Sequence, residues 1–380
     1  MPFLNSNEMI ALDLQIIQIE LYKLFIPLKE PFVISLGAIH NAENVIVGIR
    51  TNKGITGFGE CSPFMTINGE SQSTCFLVGQ YLAKILTGKS PLDIEGCVNA
   101  MDKIIYGNTS IKSAFDIALH DIAAQYAGVP LYKFLGGENN KILTTDYTIS
   151  IGDPQKMAGD ALKIKQAGFQ VIKVKLGTDK ETDVARIKAI RKAIGKKIPL
   201  RIDANQGWDV KTAIKTLEAL KDYNILFCEE PIARWDFMNL KKVKKKSPIP
   251  IMADESCSDH HDAERLIHLG ACDMFNLKLG KSAGLFKAKK IIALAEKENM
   301  LMQVGGFMES KITMTANAHL ALCSKNILHC DFDTPLMFAE DPVSGGIIYK
   351  TGGIIEIPDR TGLGAWIDNE RLDKLVKVIV

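Results

Sequence analysis

The stretch FQVIKVKLGTDKETDVARIKAIRKAIGKKIPLRIDAN (residues 169–205) decides how the chain is read. VIKVKLG (171–177) is a short apolar run of period two with Gly177 as its stop, the pattern of a strand. DVARIKAIRKAIG (183–195) repeats apolar residues at helical spacing and ends on Gly195. IPLRIDAN (198–205) is a second strand, ending on Asp203. Lys173 and Lys175 lie two apart on the first strand, so both ammonium groups face one side, where like charges repel. Standing alone, such a pair reads as an exposed edge strand kept soluble by lysines. The rest of the chain decides against that.

The same grammar extends outward on both sides. ILTTDYTISI (142–151), ILFCEEP (225–231), IPIMADES (249–256), CDMFNLKLG (272–280), LMQVGGF (301–307) and ILHCDFD (327–333) read as further strands. Helical stretches such as DPQKMAGDALKIKQAG (153–168) separate them. Strands alternating with helices in this order predict a (β/α)7-8 TIM-like barrel over residues 136–334. Residues 1–135 read differently. LQIIQIELYKLFIPL (14–28) and ENVIVGIRTNKGITGFGEC (43–61) are strands around the turn NKG, and KSAFDIALHDIAAQYAG (112–128) is a helix. This is an α+β capping domain, and the tail 335–380 is expected to return to it.

The chain has 380 residues, enough for two domains and a sizeable core. Its net charge of +2 creates no field for nucleic acid or anionic lipid. No apolar run is long enough to span a membrane. Residues 1–13 lack the basic and apolar regions of a signal peptide. The eight cysteines form no CxxC pair and read as reduced core residues, so a cytoplasmic protein is expected. LKKVKKKS (240–247) reads as a solvated helix end and DHH (259–261) as a surface loop.

In a barrel of this kind the C-terminal strand ends carry the chemistry. Asp203, Glu229, Asp254 and Lys278 follow apolar strand bodies at spacings of 26, 25 and 24 residues, one βα unit each. A single charge at a strand end has an ordinary reading as a helix cap or loop residue, which is how Asp209, Glu230 and Glu255 are taken. Three converging carboxylates repel one another unless a cation lies between them. All-oxygen ligands select a hard cation, Mg²⁺ with Mn²⁺ as the alternative, over Zn²⁺. The seven histidines form no ligand-spaced set. Lys175 on strand two and Lys278 on strand six then face each other across the barrel mouth. Two bases on opposite sides of one carbon can take a proton from one face and return one to the other, which is racemisation or epimerisation. The intermediate would be an enolate whose oxygens the metal holds.

KVK (173–175), DAN (203–205), EEP (229–231), ADES (253–256) and NLKLGKSAG (276–284) together resemble the enolase superfamily, in its muconate lactonizing enzyme subgroup, over nearly the whole chain. That resemblance implies metal ligation by Asp203, Glu229 and Asp254. It implies acid/base roles for Lys175 and Lys278, with Lys173 orienting the substrate carboxylate and depressing the pKa of Lys175. Asp331 and Asp333 in CDFDTP (330–335) face the same way at the end of strand eight. They resemble the DxD pair with which dipeptide epimerases hold an α-ammonium group, and a desolvated ammonium needs paired acceptors. The implied substrate is a dipeptide with a free N-terminus, epimerised at its C-terminal residue, and the implied assembly is a homo-oligomer. The segment PFVISLGAIHN (31–41), expected to close over the site, contains no Lys or Arg. With Phe32, Ile34, Leu36, Phe307 and Met308 it points to an apolar side-chain pocket, unless Lys29 or His40 reaches in. The alternative within the subgroup is an N-acylamino acid racemase or a cycloisomerase. Outside it stand a binding barrel without chemistry, which metal dependence would exclude, and an aldolase-type barrel using Lys175 as a Schiff base, which borohydride trapping would reveal.

Overall fold

The computed structural model describes residues 14–380; the reading of 1–13 lies outside the described residues. Strands β1 (Ile16–Ile34), β2 (Gly37–Thr51) and β3 (Thr56–Cys61) form an antiparallel sheet, and Val376–Ile379 adds a fourth strand beside β1, with Glu20 opposite Ile379. Helices α1 (Gln72–Leu86), α2 (Ile94–Ile104) and α3 (Thr109–Tyr126) complete the cap. Alternating residues such as Ile19, Leu21, Val45, Val47 and Ile49 form its core with α1 and α3. The glycines of β3 let α3 lie directly on the sheet: a Cβ at Gly59 would stand 1.9 Å from the Ala114 carbonyl oxygen. Any side chain there would push the helix away.

The second unit begins with β4 (Leu143–Thr144). It continues with β5 (Tyr147–Ile149), β6 (Ile172–Lys175), β7 (Leu200–Asp203), β8 (Ile225–Glu229), β9 (Ile251–Ala253), β10 (Met274–Leu277), β11 (Leu301–Val304) and β12 (Ile327–Cys330). Strands β5 to β12 make one eight-stranded parallel sheet in chain order. A parallel bridge between Thr145 and Cys330 joins its two ends, so the sheet curls into the expected barrel. Outward residues such as Ile172, Val174, Ile202 and Val304 pack beneath the surrounding helices in one continuous core. Inside, Phe227, Met252 and Met274 form a separate apolar plug at the N-terminal end. The charged residues occupy the other end of the same strands. No helix among the described residues is long and apolar enough to cross a membrane.

Three features differ from the sequence expectation. ILTTDYTISI is not one strand: Leu143–Thr144 pairs with Ile354–Glu356 in a small antiparallel sheet, and only Tyr147–Ile149 joins the barrel. Residues 31–41 are not a loop but the tip of the β1–β2 hairpin, with Phe32 opposite Ile39. Its turn at residues 35–36 leans on the barrel, where Ser35 Oγ donates to the Asn205 carbonyl at 2.7 Å. His260 and His261 open the helix His260–Leu269, capped by Asp259, rather than lying in a loop. Three local expectations hold: Asp209 caps the helix Val210–Leu220, LKKVKKKS ends the helix Phe237–Lys246, and all eight cysteines are free.

Candidate active site

The strand pattern puts Asp203 and Glu229 opposite each other at the ends of β7 and β8, and Asp254 just past β9. One oxygen from each lies within 4.8 Å of the others, and all three residues are fully buried. Four lysines compensate them. Lys173 Nζ lies 2.8 Å from Glu229 Oε2 and 3.2 Å from Asp203 Oδ2. Lys175 lies 2.7 Å from Asp203 Oδ2. Lys278 and Lys281 take the two oxygens of Asp254, at 2.7 and 2.6 Å. Burial and the neighbouring Asp203 push Glu229 up to about 7. Asp203 and Asp254 are also disfavoured by burial, but the lysines beside them outweigh it and hold both below the usual carboxylate range. In return, Asp331, Glu229 and Asp203 overcome the burial of Lys173 and raise its pKa. Asp254 and Glu229 do the same for Lys278.

The residues fit a hard divalent cation. The donors are carboxylate oxygens only, and both Asp254 oxygens, though ion-paired, lack a well-formed hydrogen bond. Supporting groups fix the cluster. Asn276 Nδ2 donates to Glu229 Oε1 at 2.7 Å, Gln303 Nε2 to Glu229 Oε2 at 3.3 Å, and the Asn205 N–H to Asp203 Oδ1 at 2.8 Å.

Glu230 lies in the loop just past β8, as expected, but its side chain braces the next loop rather than capping a helix. Its φ of 34° turns the carboxylate under the next loop, where it accepts the N–H of Asp254 at 2.7 Å, the N–H of Ser256 at 3.1 Å and the Ser256 hydroxyl. A positive φ at a buried glutamate carries backbone strain, which three hydrogen bonds offset here. Glu255 is also buried, with Oε1 accepting from Asn205 Nδ2 at 3.2 Å.

A second cluster lies beside the first. One oxygen each of Asp331, Asp333 and Asp146 also falls within 4.8 Å of the others. Lys173 reaches Asp331 Oδ2 at 2.7 Å, Arg201 reaches Asp146 Oδ2 at 2.7 Å, and the Thr148 N–H donates to Asp333 Oδ2 at 2.6 Å. Burial opposes the charge on Asp331, but Lys173 and Lys175 hold it near a pKa of about 2. Asp333 has no cation of its own, so burial and Asp331 push it up to about 7. Sequence reading missed Asp146 and Arg201. Arg201 stands two before Asp203 on one strand, so strand alternation alone places it on the inward face.

Asp331 and Asp333 of the second cluster open on one small cavity, which Lys175 and Lys278 reach from the first cluster, while Asp203, Glu229 and Asp254 stay buried behind them. Lys175, Lys278, Asp331, Asp333, Thr148, Phe307 and Met308 all line it, closed over by Phe32, Ile34, Phe64 and Ile67 from the cap. Lys175 Nζ stands 5.8 Å from the Phe32 ring centre and Lys278 Nζ 4.9 Å from that of Phe307. Leu36 and His40 do not reach this cavity; they line a separate groove of about 340 Å³. Lys29 lies on a neighbouring pocket, its Nζ donating to the Leu336 carbonyl at 2.9 Å. The cavity wall away from the charged clusters is therefore apolar.

A parallel barrel whose rim carries inward lysines and carboxylates under an antiparallel cap defines an enolase-like class of enzyme. The chain belongs to the mandelate racemase/muconate lactonizing enzyme family. Residues 16–136 match that family's N-terminal domain, and residues 156–371 match the enolase C-terminal domain-like family. It is 59% identical over 365 residues to a D-Ala-D/L-Ala epimerase of Cytophaga hutchinsonii, covering 96% of this chain and 99% of that one. A crystal structure of a dipeptide epimerase from that organism, with Mg and D-Ala-L-Val, is similar at a TM-score of 0.96, covering 96% of this chain and 100% of that one. A hydrophobic dipeptide epimerase of Enterococcus faecalis is 40% identical over 340 residues, 89% of this chain and 96% of that one. An L-Ala-D/L-Glu epimerase of Bacillus subtilis is 39% identical over 355 residues, 92% of this chain and 96% of that one.

Proposed function

We propose that the protein is a Mg²⁺-dependent dipeptide epimerase that inverts the α-carbon of the C-terminal residue of a free dipeptide. The observation that carries this reading is the single cavity lined at once by Lys175, Lys278, Asp331 and Asp333. Cycloisomerase substrates bring no cation for two buried carboxylates to hold.

Asp203, Glu229 and Asp254 would hold the Mg²⁺. When bound, that ion supplies positive charge against the substrate's C-terminal carboxylate, where charge develops as the α-proton leaves. Lys175 and Lys278 act as the two bases. One takes the α-proton at its Nζ, and the other delivers a proton to the opposite face. An amine must be neutral to accept, and each Nζ is ion-paired with a carboxylate oxygen 2.7 Å away. Diverting the charge of Asp203 and Asp254 to a cation weakens that hold. Lys173, fully buried, stands between the two clusters and keeps Asp331 ionised. Asp331 and Asp333 hold the substrate's ammonium. The apolar wall from Phe32 to Met308 excludes water and favours apolar side chains, since neither Lys29 nor His40 reaches the cavity to pair a side-chain carboxylate.

The chain is further read as cytoplasmic and as a homo-oligomer, the latter checked by light scattering in solution. The decisive experiment incubates a dipeptide library with enzyme and Mg²⁺ in D₂O and follows α-deuteration by mass spectrometry. Deuterium should enter the C-terminal residue of free dipeptides, with apolar residues ahead of Glu. Faster turnover of N-succinyl amino acids than of any free dipeptide would sink the reading in favour of a racemase.

A further inference from the structure

Within the cavity wall at Phe307–Met308, Phe307 is held by the barrel, its carbonyl accepting from Thr334 Oγ1 at 2.9 Å, whereas Met308 is fastened to the cap. The Met308 N–H donates to Ser62 Oγ at 3.2 Å, and the Met308 carbonyl accepts from Asn44 Nδ2 at 2.8 Å. The same Nδ2 donates to Glu60 Oε1 at 2.7 Å. Glu60 takes the Ser310 N–H on its two oxygens at 2.9 and 3.0 Å, the Ser310 hydroxyl at 2.8 Å and the Thr313 N–H at 3.3 Å. Its own carbonyl accepts from Thr313 Oγ1 at 2.9 Å. Asn44 lies on β2, Glu60 on β3 and Ser62 just past β3, and all three are buried.

A buried carboxylate is costly unless its lone pairs are satisfied. Here all but one of the satisfying donors, Asn44 being the exception, come from the other domain, so cap and wall are held in one geometry. Packing alone would join the two domains without tying both ends of the Met308 peptide unit. The wall in turn faces the chemistry. The Phe307 ring lies over Lys278, and 5.6 Å from the ring of Phe64. Burying Asn44 and Glu60 behind the wall leaves them no contact with a substrate; they act through the Met308 backbone.

We propose that Asn44 and Glu60 are positioning residues for side-chain selection, setting how far the Phe307–Met308 wall stands from Lys278 and so which substrate side chains fit. The proposal rests on reading the cavity as the epimerase site.

The test is a double-mutant cycle of Asn44→Ala and Met308→Ala. The readouts are kcat/KM for L-Ala-L-Ala and L-Ala-L-Phe, with Tm and calorimetric Mg²⁺ affinity beside them. Asn44→Ala should move the Phe-to-Ala ratio by roughly 10- to 10²-fold, since a misplacement of about 1 Å can cost about 10²-fold, and leave Mg²⁺ affinity in place. In the Met308→Ala background the same change should have a smaller effect on the ratio, because the Met308 side chain is gone and only Phe307 remains to be displaced. Glu60→Gln, with one acceptor oxygen lost, should move the ratio in the same sense. An unmoved ratio in folded Asn44→Ala, or additive effects in the double variant, overturns the proposal. If Asn44→Ala does not fold, Ser62→Ala takes its place, with a smaller shift expected and an unmoved ratio again fatal. Should the wild type prefer N-succinyl amino acids to both dipeptides, the epimerase reading fails, and the same cycle on N-succinyl-Ala and N-succinyl-Phe still decides the positioning role.

Discussion

The floor cluster of Asp203, Glu229 and Asp254 and the wall cluster of Asp146, Asp331 and Asp333 are alike in chemistry and in size. Each brings three buried carboxylates to within 4.8 Å. They differ in what neutralises them. The floor is surrounded by Lys173, Lys175, Lys278 and Lys281, with Asn276 and Gln303 holding Glu229 in place. The wall has Arg201 on Asp146 and Lys173 on Asp331, and for Asp333 only a backbone N–H. A cluster framed by charges and fixed at every member suits a small ion with demanding geometry. A cluster with one carboxylate left short of a counter-charge suits a ligand that brings its own. On the proposed reading, counter-charge, more than the carboxylates themselves, separates the metal site from the ammonium site.

The sharpest test of that division is at the lysines on the floor side. Lys175→Ala and Lys278→Ala should each cut epimerisation by roughly 10²–10⁴-fold, the range for loss of a general acid or base. One of the two should still exchange the α-proton of a single epimer with D₂O, seen by NMR. Near-normal epimerisation in either variant would break the two-base mechanism. Next, the clusters should part in metal binding. Asp254→Asn should weaken Mg²⁺ by more than the roughly 10–100-fold that loss of a mere supporting group costs. Asp331→Asn with Asp333→Asn should leave calorimetric Mg²⁺ affinity nearly intact. Equal losses from both would merge the two clusters into one.

The wall double variant should instead raise KM for free dipeptides, by about 2–3 kcal/mol for a charged group left unpaired. N-acylated analogues, weak from the start, should change little. The smallest effect is in pH. Asp333 titrates at about 7, so below that it is protonated and offers no charge to the ammonium. KM for a free dipeptide should therefore fall as pH rises through 7, by up to about tenfold per unit on the acid side. Asp333→Asn should flatten that limb, and a limb that survives the substitution assigns it to another group.

The floor was legible in the sequence because each of its carboxylates ends an apolar strand one βα unit after the last. Asp331 and Asp333 were legible for the same reason. Asp146 was not, since it lies between two short strands that read as one, and only the split of ILTTDYTISI turns it inward. Glu230 looked like a loop residue because its role depends on a φ of 34°, which no side-chain pattern announces. Arg201, Asn276 and Gln303 were readable by strand alternation, each lying inward among outward apolar residues. The joint through Asn44, Glu60 and Ser310 was beyond reach, because it depends on how two domains meet.

The reaction cavity holds about 40 Å³, room for a few water molecules. Pockets that take small molecules start at about 300 Å³. The tip of the β1–β2 hairpin, through Phe32 and Ile34, lies over this small space, and Phe32 also lines a neighbouring pocket of about 320 Å³. An inversion between two lysines leaves each in the other's protonation state: the acceptor now carries the proton and the donor lacks one. In that state the chamber can only run the same step backwards. On the proposed mechanism a second inversion in the same direction waits for protons to trade with solvent. On that mechanism, the exchange of product for substrate past the hairpin would also be the moment at which the two lysines regain their starting protons.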